Sequence, residues 1–141
     1  MSTNELSGGL RRGTDLAQVL LACQAATPAD ASHLLRKAYA AVAEELAMTA
    51  AFFGELPPPG QFEAMLLCGA LESAALTLLP RGASFMLSCG SNHCHLGSVF
   101  MPECGEHTAE GTTAALALMV ATLSAWRELL HAPTARPSRL N

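Results

Sequence analysis

Hydrophobic residues recur at helical spacing from the start of the patterned region. Leu16, Val19, Leu20 and Cys23 fall on one face, and Thr14 or Asp15 can cap, so a helix is expected over 14–25. The stretch 27–53 supports two readings. Thr27, Pro28 and Asp30 resemble an N-cap, a first-turn proline and a first-turn acid, and the alanines that follow favour one long helix. Residues 47–53 (AMTAAFF) also read as a strand that ends in the Gly- and Pro-rich turn 54–60. A helix is expected over 61–75, with Phe62, Met65, Leu66 and Leu71 apolar and Gly69 and Ala70 small.

The period then changes to two. Residues 83–89 and 94–101 predict a hairpin about Gly90, Ser91 and Asn92. Phe85, Leu87 and Cys89 share one face of the first strand. In the second, Leu96, Ser98 and Phe100 alternate with Gly97, Val99 and Met101. Neither face of that strand is strongly polar, which suits a covered or partner-facing sheet. The last element is a helix capped by Thr112 or Thr113 and running to about Leu130, on the spacing of Leu116, Met119, Val120, Leu123, Trp126 and Leu130. Arg127 and His131 suit its negative C-terminal end.

These elements predict a small single-domain α+β fold, an antiparallel sheet flanked by helices in the order helix, strands, helix, hairpin, long C-terminal helix. The domain is expected over 14–131, with flexible tails at 1–13 and 132–141. The 141 residues suit one domain, and half of them are hydrophobic, enough for a core without metal or disulfides.

The apolar run 114–123 is half the length of a membrane span and contains Thr122. The N-terminus lacks a basic patch followed by an apolar run, so no secretory signal is read and the cytoplasm is expected. Five cysteines, at 23, 68, 89, 94 and 104, make an odd count that argues against a disulfide framework. Cys23 and Cys68 lie in apolar runs and read as small core hydrophobes. Net charge is −4, Lys37 is the only lysine, and no Lys or Arg stands between Arg81 and Arg127. Nucleic-acid binding needs clustered cations, so that class is excluded.

The densest local chemistry is Cys89-x3-His93-Cys94-His95-x8-Cys104-x2-His107. Zinc takes four thiolate or imidazole ligands: Cys104 and His107 pair at knuckle-like spacing, Cys89 with either His93 or Cys94 could close the set, and Cys89, Cys94, Cys104 and His107 are the candidate ligands. Against this, the spacing is not that of a zinc ribbon, and strand alternation turns Cys94 away from His93 and His95. An enzyme is not expected. Asp occurs only at 15 and 30, Glu44-Glu45 and Glu103-x2-Glu106 read as solvated faces, and Gly8-Gly9 precedes no strand. No nucleophile, base and orienter can be assembled.

The order of elements in the second half, with the Gly54-x-Leu56-Pro57 turn, the apolar helix after it, the hairpin, and a terminal helix bearing Ala125-Trp126-Arg127-x-Leu129, resembles the small acidic chaperones of bacterial type III secretion that escort effector proteins. The resemblance covers roughly residues 45–131. It implies a cytosolic homodimer, built largely through the middle helix, that binds the N-terminal segment of a secreted effector along apolar grooves, without cofactor or catalytic residues. Candidate dimer residues are then Phe62, Met65, Leu66, Gly69 and Ala70. Candidate partner-binding residues are Phe52, Phe53, Phe85, Leu87 and Phe100, each of which also fits a plain core. The family places strands between Ala29 and Phe53, where this sequence is rich in alanine. A zinc-stabilised interaction domain is the alternative reading.

Overall fold

The computed structural model describes residues 16–48, 54–92 and 94–131. The expected tails lie outside these residues, as do Thr14, Asp15, Phe52, Phe53 and His93. The fold is α+β, with five helices and one three-stranded antiparallel sheet among the described residues. Helix α1 spans 16–24. A 3-10 turn, Pro28–Asp30, leads into α2, Ala31–Met48. Helix α3 is Pro59–Leu67 and α4 is Leu71–Leu76. The strands β1 (Ser84–Cys89), β2 (His95–Met101) and β3 (Gly105–Gly111) follow, and α5, Ala114–Leu130, closes the described chain.

The helix reading of 27–53 holds over 28–48, and the alternative strand over 47–53 lies, apart from Ala47 and Met48, outside the described residues. The backbone N–H of Thr27 donates to Asp30 Oδ2 at 3.1 Å, which satisfies a donor that helix entry leaves unpaired. Leu34, Leu35, Ala38, Ala41, Val42 and Leu46 are buried at helical spacing. The strands that the family resemblance implies after Ala29 are therefore absent over 29–48. The reason is local: alanine carries no side-chain entropy cost in a helix and offers little to pack on a pleated sheet.

The single helix expected over 61–75 is two. Gly69 adopts φ +78, and the amides of Gly69 and Ala70 donate to the carbonyls of Leu66 (3.1 Å) and Met65 (2.9 Å). That pair of bonds is a Schellman cap, in which glycine takes the left-handed position at no steric cost. Gly69 thus ends α3, and a Cβ there would meet nothing within 4 Å in the chain. The same break leaves Cys68 exposed, against the expectation of a core cysteine, whereas Cys23 is buried. An exposed bidentate pair between Arg36 and Glu63 joins α2 to α3, and it holds the Glu63 carboxyl below its usual range.

The expected hairpin is present, with Phe85 opposite Val99 and Leu87 opposite Gly97. The third strand was not expected. It follows a short turn, 102–104, with Gly105 at φ +82, and pairs His107 with Val99 and Glu106 with Phe100. Helix α5 lies across one face of β2 and β3, with α2 and α4 packed against it as well. Between these neighbours Leu116, Leu118, Met119, Leu123 and Trp126 are almost fully buried. The α5 cap is as the sequence indicates: Thr113 Oγ1 accepts from the Leu116 amide at 3.1 Å. None of the described helices is long and apolar enough to cross a membrane.

Candidate functional site

The register divides the sheet into two faces. Toward α5 lie Phe85, Leu87 and Cys89 of β1, His95, Gly97, Val99 and Met101 of β2, and His107 and Ala109 of β3. Away from α5 lie Ser84, Met86 and Ser88, then Leu96, Ser98 and Phe100, then Glu106, Thr108 and Glu110. Because α5 sits over β2 and β3 and reaches little of β1, the edge strand overhangs its own core. Phe85 is on the helix side yet 48% exposed, and Leu87 is only half-buried. On the other face Met86 is 68% and Phe100 49% exposed, with Leu96 beside them. An edge strand of this kind offers unpaired backbone groups as well as apolar side chains.

The charge of this surface is one-sided. Glu106 and Glu110 flank the apolar column on β3, and the sequence 82–126 contributes no Lys or Arg. Ser98 and Thr108 share a 2.8 Å hydrogen bond between the two columns. Of the expected partner-binding residues, Phe85, Leu87 and Phe100 belong to this hairpin, but Phe100 faces away from the other two. Met86 and Leu96 were not singled out in the sequence. Their signal was the apolar character of both faces of the hairpin.

The expected dimer residues fare differently. Phe62 and Leu66 are buried within the chain, where Phe62 packs on Tyr39 with ring centroids 4.5 Å apart. Met65 is partly buried against the same core, and Gly69 and Ala70 form the cap already described. The exposed large hydrophobic residue of α3 is Leu67.

The four expected zinc ligands separate into two pairs. Cys89 and Cys94 flank the β1–β2 turn, whereas Cys104 lies in the β2–β3 turn. The seven residues of β2 stand between them, roughly 20 Å at the usual strand rise, so one ion cannot bridge both ends. At the first end burial, a hydrogen bond with Glu110 and the nearby Cys89 all push the Cys94 thiol up from its ordinary value. At the second end the fold brings Cys104 and His107 to a residue that sequence spacing could not supply, Glu128 on the last turns of α5. One donor atom from each of the three lies within 4.8 Å of the others. His107 Nε2 is 3.0 Å from Glu128 Oε1. Burial, followed by the charges of Glu128 and Glu103, raises the Cys104 thiol.

A groove of about 430 Å³ between α1 and α2 is lined by Gln18, Val19, Ala22, Lys37, Ala40, Ala41 and Glu44. Lys37 and Glu44 are its charged groups among the described residues. In comparisons with known proteins, no family model, no curated protein and no solved structure matches the chain.

Proposed function

We propose that this chain is a non-catalytic, chaperone-like binding domain that takes an extended segment of another polypeptide along β1. The observation that carries the reading is the exposure of Phe85, Met86 and Phe100 on a hairpin whose outer strand overhangs α5. Strand addition supplies backbone hydrogen bonds, and side chains on alternate positions supply selectivity. The acidic column of Glu106 and Glu110, on a stretch of sequence without Lys or Arg, favours a segment that alternates apolar and basic residues. In its narrower form the partner is the N-terminal segment of a type III secreted effector, held by a cytosolic homodimer. The order of the hairpin and terminal helix supports that form, and α2 departs from it.

The test is fluorescence polarisation with labelled ten-residue peptides in which Leu and Val alternate with Lys. Binding in about the micromolar range is expected. It should weaken at least about tenfold in a Phe85→Ser/Met86→Lys variant, and for a matched peptide with Glu in place of Lys. Equal affinity for both peptides, or an unchanged variant, overturns the reading. Native mass spectrometry decides the narrower form: a species near twice the 14.7 kDa chain supports it, and a monomer at all concentrations removes it.

A further inference from the structure

We infer that Cys104, His107 and Glu128 form a binding site for one divalent cation of the zinc class, with the fourth position open to solvent. This inference stands apart from the peptide-binding reading and uses none of the residues of that surface. The donor set is a thiolate, an imidazole and a carboxylate, the three ligand types that zinc accepts. Metal binding would displace the Cys104 thiol proton, so Cys104 and Glu128 together would supply two negative charges against a divalent ion.

The geometry matches the chemistry. Ligand bonds of 2.0–2.3 Å in a tetrahedron place donor atoms about 3.3–3.8 Å apart. The three donors already lie within 4.8 Å of one another, with nitrogen and carboxylate at 3.0 Å, so small side-chain rotations close the set. The backbones that carry them are fixed by the core. Met101 precedes the turn that bears Cys104, and Trp126 and Leu129 flank Glu128 on α5, and all three are buried. His107 sits between them on β3, paired with buried Val99.

A plain His–Glu ion pair is the competing account, and one detail counts against it. His107 Nε2 and Glu128 Oε1 are 3.0 Å apart, and a third donor that an ion pair does not use, the Cys104 thiol, lies within 4.8 Å of donor atoms of both residues. A thiol gathered beside an imidazole and a carboxylate suits a metal site better than a two-residue ion pair. Glu128 is half exposed, so an ion can enter from that side and keep a water there.

The test uses the full chain, purified without a metal-affinity column and stripped with chelator, then titrated with Co²⁺ and Zn²⁺. One equivalent of Co²⁺ should bind with a thiolate-to-cobalt charge-transfer band, and Zn²⁺ should displace it. Cys104→Ser should abolish the band. His107→Gln should weaken binding at least about 100-fold, since loss of even an outer-shell partner costs 10–100-fold. A Cys89→Ser/Cys94→Ser variant should bind as the parent does. Circular dichroism of each metal-free variant checks that the fold is kept, and Glu128→Gln provides an independent variant on the helix surface. Absence of a stoichiometric complex overturns the site. So does a band that survives Cys104→Ser or disappears with Cys89 and Cys94.

Discussion

A methyl group on Gly111 would stand 2.6 Å from the backbone nitrogen of Ala117. Gly97, on the neighbouring strand, is as tightly placed, with a Cβ 2.8 Å from the Leu118 nitrogen. The two glycines let the first turns of α5 lie directly on the backbone of β2 and β3. Backbone cannot rotate away as a side-chain tip can, so Gly111→Ala and Gly97→Ala should each destabilise by about 1–3 kcal/mol. The two substitutions push on the same turn of helix, and the double variant should lose less than the sum. Gly60 is the control: its Cβ meets nothing within 4 Å on the first turn of α3, and Gly60→Ala should stabilise by about 0.4–1 kcal/mol. Urea midpoints for the four variants decide the ordering.

That close approach also explains what the sequence concealed. The hairpin is legible because Phe85, Leu87 and Val99 alternate with other residues at strand period, and α5 because its apolar positions are dense and its cap is a threonine. Strand β3 shows no such pattern. Its helix-side positions are Gly105, which takes a positive φ, then His107, Ala109 and Gly111, and at Gly111 the helix backbone leaves no room for a side chain. A strand selected for thinness resembles a loop. The α3–α4 break carried a signal, Gly69, but a glycine that caps and a glycine that admits a neighbour read alike until its φ is known. At the metal cluster, Cys104-x2-His107 was legible as a pair. Glu128 was not, because only the packing of α5 over β3 brings it there. Cys89 and Cys94 were grouped with the pair by nearness in sequence, and the length of β2 separates them.

The indole Nε1–H of Trp126 donates to the Leu78 carbonyl at 2.7 Å, with both residues buried. Trp126→Phe leaves that carbonyl without its donor and removes one ring. The unpaired acceptor alone should cost about 1–3 kcal/mol, and Trp126→Ala should cost about 3–5 kcal/mol through the cavity it leaves. Trp126 is the only tryptophan and is 1% exposed, so its emission should shift to the red on unfolding. Denaturation of the parent followed by that emission, and of both variants by far-ultraviolet circular dichroism, measures the losses.

Burial pushes the Cys23 thiol up to about 12 from its ordinary 9.0. Between those values the unfolded chain has released this proton and the folded chain still holds it. Folding stability should therefore be intact below pH 9 and fall as pH rises toward 12, by on the order of 1 kcal/mol per unit from this group. Other groups titrate in the same window, so the informative quantity is the difference between parent and Cys23→Ala. The variant should start less stable at pH 8 and lose less over the next two units. Parallel stability curves for the two proteins would remove Cys23 as the source.

Thr122 is the one polar residue among the fully buried side chains described, and its Oγ1 makes no hydrogen bond. A hydroxyl taken from water without a partner is a standing cost of folding. Valine has the same branched shape and lacks that group, and its single preferred rotamer is compatible with a helix interior. Thr122→Val should therefore raise stability by about 1 kcal/mol, against the usual direction for a core substitution. At the ratios typical of a domain this size, that gain is a rise of about 2–6 °C in Tm. Calorimetry at neutral pH measures it directly. A loss in Tm would mean that the hydroxyl has a partner, an ordered water or a backbone carbonyl reached by a small rotation, and that replacing it with a methyl leaves that partner unpaired.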